Sequence, residues 1–448
     1  MQRIVATLLM LSLSALAGAV EYRVGPTQTF TGLQALLDAR DLAPGDVVIV
    51  DGNHTYAVGS GIVVREDDGG SAAQPVIIRG ERINGNRPVL SGGANTIKFQ
   101  NSDYVVLEGF EITGGSARCV FHDAHEVALR DVLVRNCPNH GVHSADLAGS
   151  LTIEYSELHS IGSAGNDQKH TIYAQTGEIE HPDAVFRLRH SYLHNGLSGN
   201  MVKSRAERTE LHYNWIEGAD VQDVEMLSPD PNFQSNNWDD DTAIEYGEMV
   251  GNVIVHGGGS SDYAVRLGGD GTGAGSKGRY RLVNNTFVYD GGGTVLRLFA
   301  ALESVEVHNS VFVRRSGSGN VQVYRDVEAD WLQSRQIHGG NNWVDSNTTT
   351  LPSEWTLTAS AANAGFVDAA AYNLTPTATS GLRDHGNNAP QSRPAFAFPN
   401  PSPMPPAFLP KRAAQRPGQA VPRVLDGVVD AGAFEYVSGN GLFANGFE

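Results

Sequence analysis

Cysteine is almost missing from this chain, with only Cys119 and Cys137 in 448 residues. That excludes a disulfide-stapled scaffold and any cysteine-rich metal cluster, so stability has to come from packing. A bridge between the two and a pair of buried free thiols both remain open. Basic residues are also few, 32 against 50 acidic, for a net charge of −18, and this removes nucleic acid from the candidate partners. Long amphipathic helical patterns are lacking after "TFTGLQALLDARDL", residues 29–42, which excludes a helical bundle and leaves that segment as an N-terminal capping helix. After the first twenty residues no apolar run approaches the roughly 20 positions needed to cross a bilayer, so no transmembrane segment is expected.

What is present begins with "MQRIVATLLMLSLSALAGA". A basic residue, a short apolar run and Ala17-Gly18-Ala19 have the form of a secretory signal peptide over residues 1–19, with a mature chain starting near Val20 and exported to the periplasm or beyond. The body of the chain is a succession of short β-branched runs, such as "DVVIVDG", "PVIIRG" and "YVVLEGFEITGG", punctuated by Gly, Asn, Asp and Ser. Aligning the apolar residue that closes each run gives Ile112, Val134, Leu158, Leu193, Ile216, Ile254, Phe287, Phe312 and Trp343, at intervals of 22 to 38 residues. A basic unit with inserted loops is the signature of a solenoid.

A recurring polar residue lies two places before the anchors from Leu158 onward: Ser156, Ser191, Asn214, Asn252, Asn285, Ser310 and Asn341. Stacked coil on coil, these side chains would satisfy backbone groups at a turn, a structural role. A second strand follows each anchor: "CVFHD", "GVHSA", "TIYAQ", "MVKSR", "VEMLS", "AVRLG", "VLRLF" and "VQVYR". Because side chains alternate faces, placing Val120, Val142, Ile172, Val202 and Val224 inward turns Phe121, His143, Tyr173, Lys203 and Glu225 outward, with Arg266 and Arg297 continuing the row. Arg205 lies one step further along the face of Lys203. A basic cluster on an acidic protein predicts a groove for an anionic sugar chain, walled by inserts 161–169 and 229–248 and rimmed by 268–278.

The period and absence of crossover helices resemble the right-handed parallel β-helix. The expected architecture is all-β: a single-stranded right-handed parallel β-helix of about 9 to 12 coils over residues 20–345, with an N-terminal capping helix and an irregular C-terminal segment. Residues 346–439 read as a Pro-rich segment lying on or beside the helix, and 440–448 as a short tail. "GDVVIVDGNHTY", "AAQPVIIRGE", "VLSGG" and "YVVLEGFEITGG" resemble the entry coils of the chondroitinase B and alginate lyase family, and "MVKSRAERTELHYNWI" resembles its Lys-Ser strand. The resemblance implies that Lys203 is the general base of a β-elimination. That family pairs the Lys with an Arg one coil later, where this chain has Glu225. "HTIYA", "KSRA" and "LVNNTFV" also resemble exported bacterial β-helix proteins, which implies the fold.

β-Elimination from a uronate needs a base, a group that neutralises the carboxylate and an acid for the leaving oxygen. The candidate catalytic residues are therefore Lys203, its pKa lowered by Arg205 and Arg208, together with Arg205, Tyr173 and His143. Arg266, Arg297, Glu225 and His170 are candidates for substrate binding. Asp239, Asp241 and Glu245 provide hard oxygen ligands of the kind Ca²⁺ takes, the one cofactor expected. The fifteen histidines include no H-E-x-x-H, so a histidine zinc site is not expected. The function expected is a secreted, monomeric polysaccharide lyase acting on an anionic polysaccharide. The alternatives are a glycoside hydrolase using Asp223 and Glu225 with Asp230, or a non-catalytic polysaccharide-binding or surface protein.

Overall fold

The computed structural model describes residues 18–229, 244–257, 263–270 and 275–438. The chain winds as a right-handed parallel β-helix. Each turn delivers one strand to each of three long parallel sheets, as in the consecutive strands Val127–Arg130, Leu133–Cys137 and His140–Ser144. The first sheet has 12 strands running from Glu21–Val24 to Ile337–Gly340. The second, also of 12, runs from Thr55–Ala57 to Ala359–Ala361, and the third, of 11, from Ile62–Val64 to Thr348–Thr349.

The interior column is the one the anchors predict. Ile112, Val134, Leu158, Leu193, Ile216, Ile254, Phe287 and Phe312 pair in succession along the second sheet, and each is 0% exposed. The next member is Val344, because Trp343 pairs with Val311 and faces outward into a separate apolar cluster with Trp215 and Val253. A slip of one residue exchanges faces on a strand, so the expected Trp343 anchor is corrected to its neighbour.

The polar residues before the anchors form a continuous ladder. The backbone N–H of Ser156 donates to Ser191 Oγ at 3.2 Å, that of Ser191 to Asn214 Oδ1 at 3.0 Å, and the series runs through Asn252, Asn285 and Ser310 to Asn342. Asn342 therefore takes the place expected for Asn341, which occupies the left-handed turn position before it at φ 55°, as Asn309 (52°) and Asn284 (54°) do one and two coils earlier. Asn tolerates this conformation better than branched residues, hence an Asn before the ladder residue at each of these corners.

The capping helix is shorter than residues 29–42, spanning Leu33–Leu37 with Gly32 as N-cap and no side-chain capping bond. Leu33, Leu36 and Leu37 nonetheless close the end of the core. Cys119 and Cys137 form a disulfide with a Cα–Cα distance of 5.9 Å. The Pro-rich segment lies along the helix and runs back toward earlier coils. Arg281 donates to the Pro390 carbonyl, Arg208 to those of Pro399 and Asn400, and Ser402 Oγ to buried Glu248 at 2.5 Å. The 431–434 region packs against the second sheet through Ala431, Ala433 and Phe434.

Candidate functional site

The outward row on the third sheet stands in the predicted register. His143 pairs with Tyr173, Tyr173 with Lys203, Lys203 with Glu225, Glu225 with Arg266 and Arg266 with Arg297. Parallel strands about 4.8 Å apart bring residues from six consecutive turns into one row. A cavity of about 510 Å³ opens on this row, lined among others by Tyr173, Lys203, Arg205, Glu225, Arg266 and His170. Asp167 and Gln168 supply one wall and Asp270 the rim, from the 161–169 and 268–278 inserts as expected.

Lys203 sits at the centre. Its Nζ lies 3.7 Å from Glu225 Oε2 and 5.4 Å from the Tyr173 ring centroid. Burial lowers the ammonium pKa, Glu225 opposes that, and Arg205 adds to it. Arg208 does not take the part expected of it. It lies on Arg208–His212 of the first sheet, pairs with Glu210 at 2.8 Å and holds the Pro-rich segment, because the chain turns a corner between Arg205 and Arg208.

Arg205 is 3% exposed and committed to protein partners. Its Nε donates to the Tyr173 hydroxyl at 3.1 Å, one terminal nitrogen to the Ser228 carbonyl at 2.6 Å and the other to Asp270. It therefore holds the Tyr173 phenol and the rim together. Arg266 is more open, reaching Glu225 Oε1 at 3.3 Å and Asp270 Oδ1 at 3.1 Å while stacking on Phe299. Arg297 continues the row but pairs with Glu328 at 3.1 Å and does not line the cavity. His143 stacks on Tyr173 at 4.9 Å and also lies outside the lining.

A second polar ladder forms the floor, and the sequence reading missed it. The backbone N–H of His170 donates to His140 Nδ1 at 3.1 Å, that of Asn200 to His170 Nδ1 at 3.0 Å and that of Gln222 to Asn200 Oδ1 at 3.2 Å. The signal was available: each residue precedes an inward Val142, Ile172, Val202 or Val224 by two places, the spacing of the first ladder. It was missed because strict alternation turns His140 inward, whereas Gly141 and Val142 are buried in succession. With Nδ1 accepting, the proton of each neutral ring is on Nε2. Burial lowers the pKa of His140 to about 4 and that of His170 well below its ordinary value. His143, whose Nδ1 accepts from Arg118 Nε at 2.7 Å, is pushed down to about 3, chiefly by burial. These rings are fixed as neutral donors.

Asn200 also donates to Glu225 Oε2 at 2.6 Å, which fixes the carboxylate against Lys203. Asp223 does not share this face. It is fully buried, held by His256 Nδ1 at 2.7 Å, and absent from the lining, so the expected pairing of Asp223 with Glu225 in the groove is corrected. Position 223 falls at the corner before strand Val224–Leu227, where alternation does not apply. Asp230, Asp239 and Asp241 lie outside the described residues. Glu245 is described and buried, and neither carboxylate oxygen has a hydrogen-bond partner among the described residues. Burial raises its pKa well above the ordinary range, with Glu178, itself pushed up to about 7, adding to the effect.

Among the described residues no helix is long and apolar enough to cross a membrane. No family model and no curated protein matches the chain. Solved structures do. A pectate lyase superposes with a TM-score of 0.56 over 93% of this chain and 96% of that one, at 12% identity. A rhamnogalacturonan lyase gives 0.48 at 11% identity over 86% and 96% of the two chains. An alginate lyase from Paenibacillus gives 0.42 at 16% identity over 71% and 99%. At such identities, what the chain shares with the pectate lyase is the right-handed parallel β-helix, nearly end to end.

Proposed function

We propose that the protein is an exported polysaccharide lyase that cleaves a uronate-containing anionic polysaccharide by β-elimination at Lys203. The observation that carries this reading is the placement of a buried lysine of lowered pKa between a tyrosine hydroxyl held by arginine and a second, more open arginine, all in one cavity. Neutral Lys203 takes the proton from the carbon beside the uronate carboxylate. The electron pair forms the carbon–carbon double bond, the bond to the glycosidic oxygen breaks, and Tyr173 gives that oxygen its proton. Arg266 faces the carboxylate as negative charge builds on it. Arg205 acts through Tyr173: a donor at the phenol oxygen stabilises phenolate and makes the hydroxyl a better acid. The neutral Nε2–H groups of His140 and His170 bind sugar oxygens, and Asn200 fixes Glu225.

Glu245, buried with neither oxygen hydrogen-bonded, and half-buried Glu178, close enough to raise its pKa, offer oxygen ligands of the kind Ca²⁺ takes. Bound there, Ca²⁺ would neutralise two acids behind Arg205. Titration of the chelator-treated protein with Ca²⁺, in native form and as Glu245→Gln, tests this.

Incubation with a panel of anionic polysaccharides tests the function. A lyase releases an unsaturated sugar absorbing in the near ultraviolet. Reducing ends without that absorbance mean hydrolysis, and retention of a polymer without cleavage means a binding protein.

A further inference from the structure

On the second sheet, away from the groove, three side chains from two consecutive turns converge. Glu157 and His159 face outward on strand Glu157–Ile161, and His194 lies on Tyr192–His194, where His159 and His194 are register partners. One ligand atom from each lies within 4.8 Å of the others. Glu157 Oε1 is 3.0 Å from His194 Nε2, and the two imidazoles stack with centroids 4.7 Å apart. We propose that Glu157, His159 and His194 form a zinc site with one coordination position left open.

The chemistry of the three groups supports it. Two imidazoles and one carboxylate are a donor set that suits Zn²⁺, which in three-ligand sites keeps its fourth position for water. Tetrahedral bonds of about 2.0 to 2.2 Å place ligand atoms roughly 3.3 Å apart, so shifts of about an ångström close the site. His159 Nδ1 lies 2.9 Å from Ser160 Oγ; with Nδ1–H donating there, Nε2 carries the lone pair and the ring is oriented by an outer partner. When His194 ligates through Nε2, its proton moves to Nδ1 and the ring stays neutral.

The cations nearby are already matched. Arg135, the register partner of His159 one turn earlier, pairs with Glu111 at 2.7 Å, and Arg87 pairs with Asp131 at 2.7 Å. Neither takes the Glu157 carboxylate. The histidines of the groove floor differ in kind: His140 and His170 already spend Nδ1 accepting a backbone N–H, so their Nε2 must keep its proton and cannot ligate. Residues 159 and 194 are 35 apart, which explains why no sequence motif announces the pair.

The full chain, stripped with chelator, is titrated calorimetrically with Zn²⁺, and Co²⁺ is added as a spectroscopic probe of tetrahedral coordination. The expected result is one equivalent of Zn²⁺ bound, an intense visible Co²⁺ spectrum and a rise in Tm on adding Zn²⁺. His159→Ala, His194→Ala and Glu157→Gln should each weaken Zn²⁺ binding by about 100-fold or more and abolish the Co²⁺ spectrum, with unchanged circular dichroism. Gln at either histidine replaces Ala where the Ala variant unfolds. Absence of Zn²⁺ binding by the native chain, unchanged binding in the His159/His194 double variant, or loss of binding instead in His125→Ala, which alters a separate histidine pair stacked with His181 at 4.8 Å, overturns the proposal.

Discussion

Lys203 Nζ lies 3.7 Å from Glu225 Oε2, a contact between register partners on consecutive turns in which both side chains are largely withdrawn from water. Burial pushes the ammonium toward its neutral form and the carboxylate pulls it back. The balance between them sets the pH at which the lysine can accept a proton.

Replacing Glu225 by Gln removes the group that favours the charged lysine, so the Lys203 pKa falls and free base persists to lower pH. The acid limb of the kcat/KM profile should move down by about one pH unit, with turnover retained. An acid limb that stays in place, measured on the same substrate, removes Lys203 as the base. Loss of all turnover favours hydrolysis through Glu225.

Lys203→Ala should lower kcat by roughly 10² to 10⁴, and Tyr173→Phe by about 10² or more, with smaller changes in KM. Arg205→Lys breaks the Nε bond to Tyr173 while keeping charge. It should reduce kcat more than KM and shift the basic limb of the profile upward, because the phenol loses its donor. Ultraviolet-absorbing product formed at the native rate by Lys203→Ala would refute the assignment.

The first ladder predicts a stability effect far from the groove. Asn252→Ala deprives the Asn214 backbone N–H of its acceptor and the Leu211 carbonyl of its donor, both in the interior. Stranding two buried polar groups costs roughly 2 to 5 kcal/mol, visible in urea unfolding. Asn252→Ser should lose less, since its hydroxyl can occupy the place Ser191 and Ser310 fill in other turns.

Glu210 predicts an acid sensitivity. Burial raises its pKa, but Arg208, His212 and Arg187 outweigh this and hold the carboxyl down at about 2. A depressed folded pKa gives stability that is present above the unfolded value of roughly 4.3 and is lost as pH falls through about 2. Glu210→Gln should flatten the loss of stability over that window, by on the order of 2 to 3 kcal/mol, in thermal unfolding measured against pH.

The sequence by itself determined the winding of the chain and the contents of one face. Anchors from Ile112 to Phe312 and the Ser/Asn positions before them repeat because every coil must bury an apolar side chain and satisfy a corner, and such needs recur locally. Two-residue alternation then sufficed to turn Tyr173, Lys203, Glu225 and Arg266 outward in one row. The tertiary structure decided whatever happens where alternation fails or where distant segments meet. At corners, two successive inward residues put His140 on the groove floor, and Asp223 went into the interior under His256. Asp270 reaches Arg205 from a loop 65 residues away, turning an expected carboxylate binder into the support of a tyrosine. Contacts of that length depend on how far each insert extends and where it lands, and local residue pattern carries no record of either.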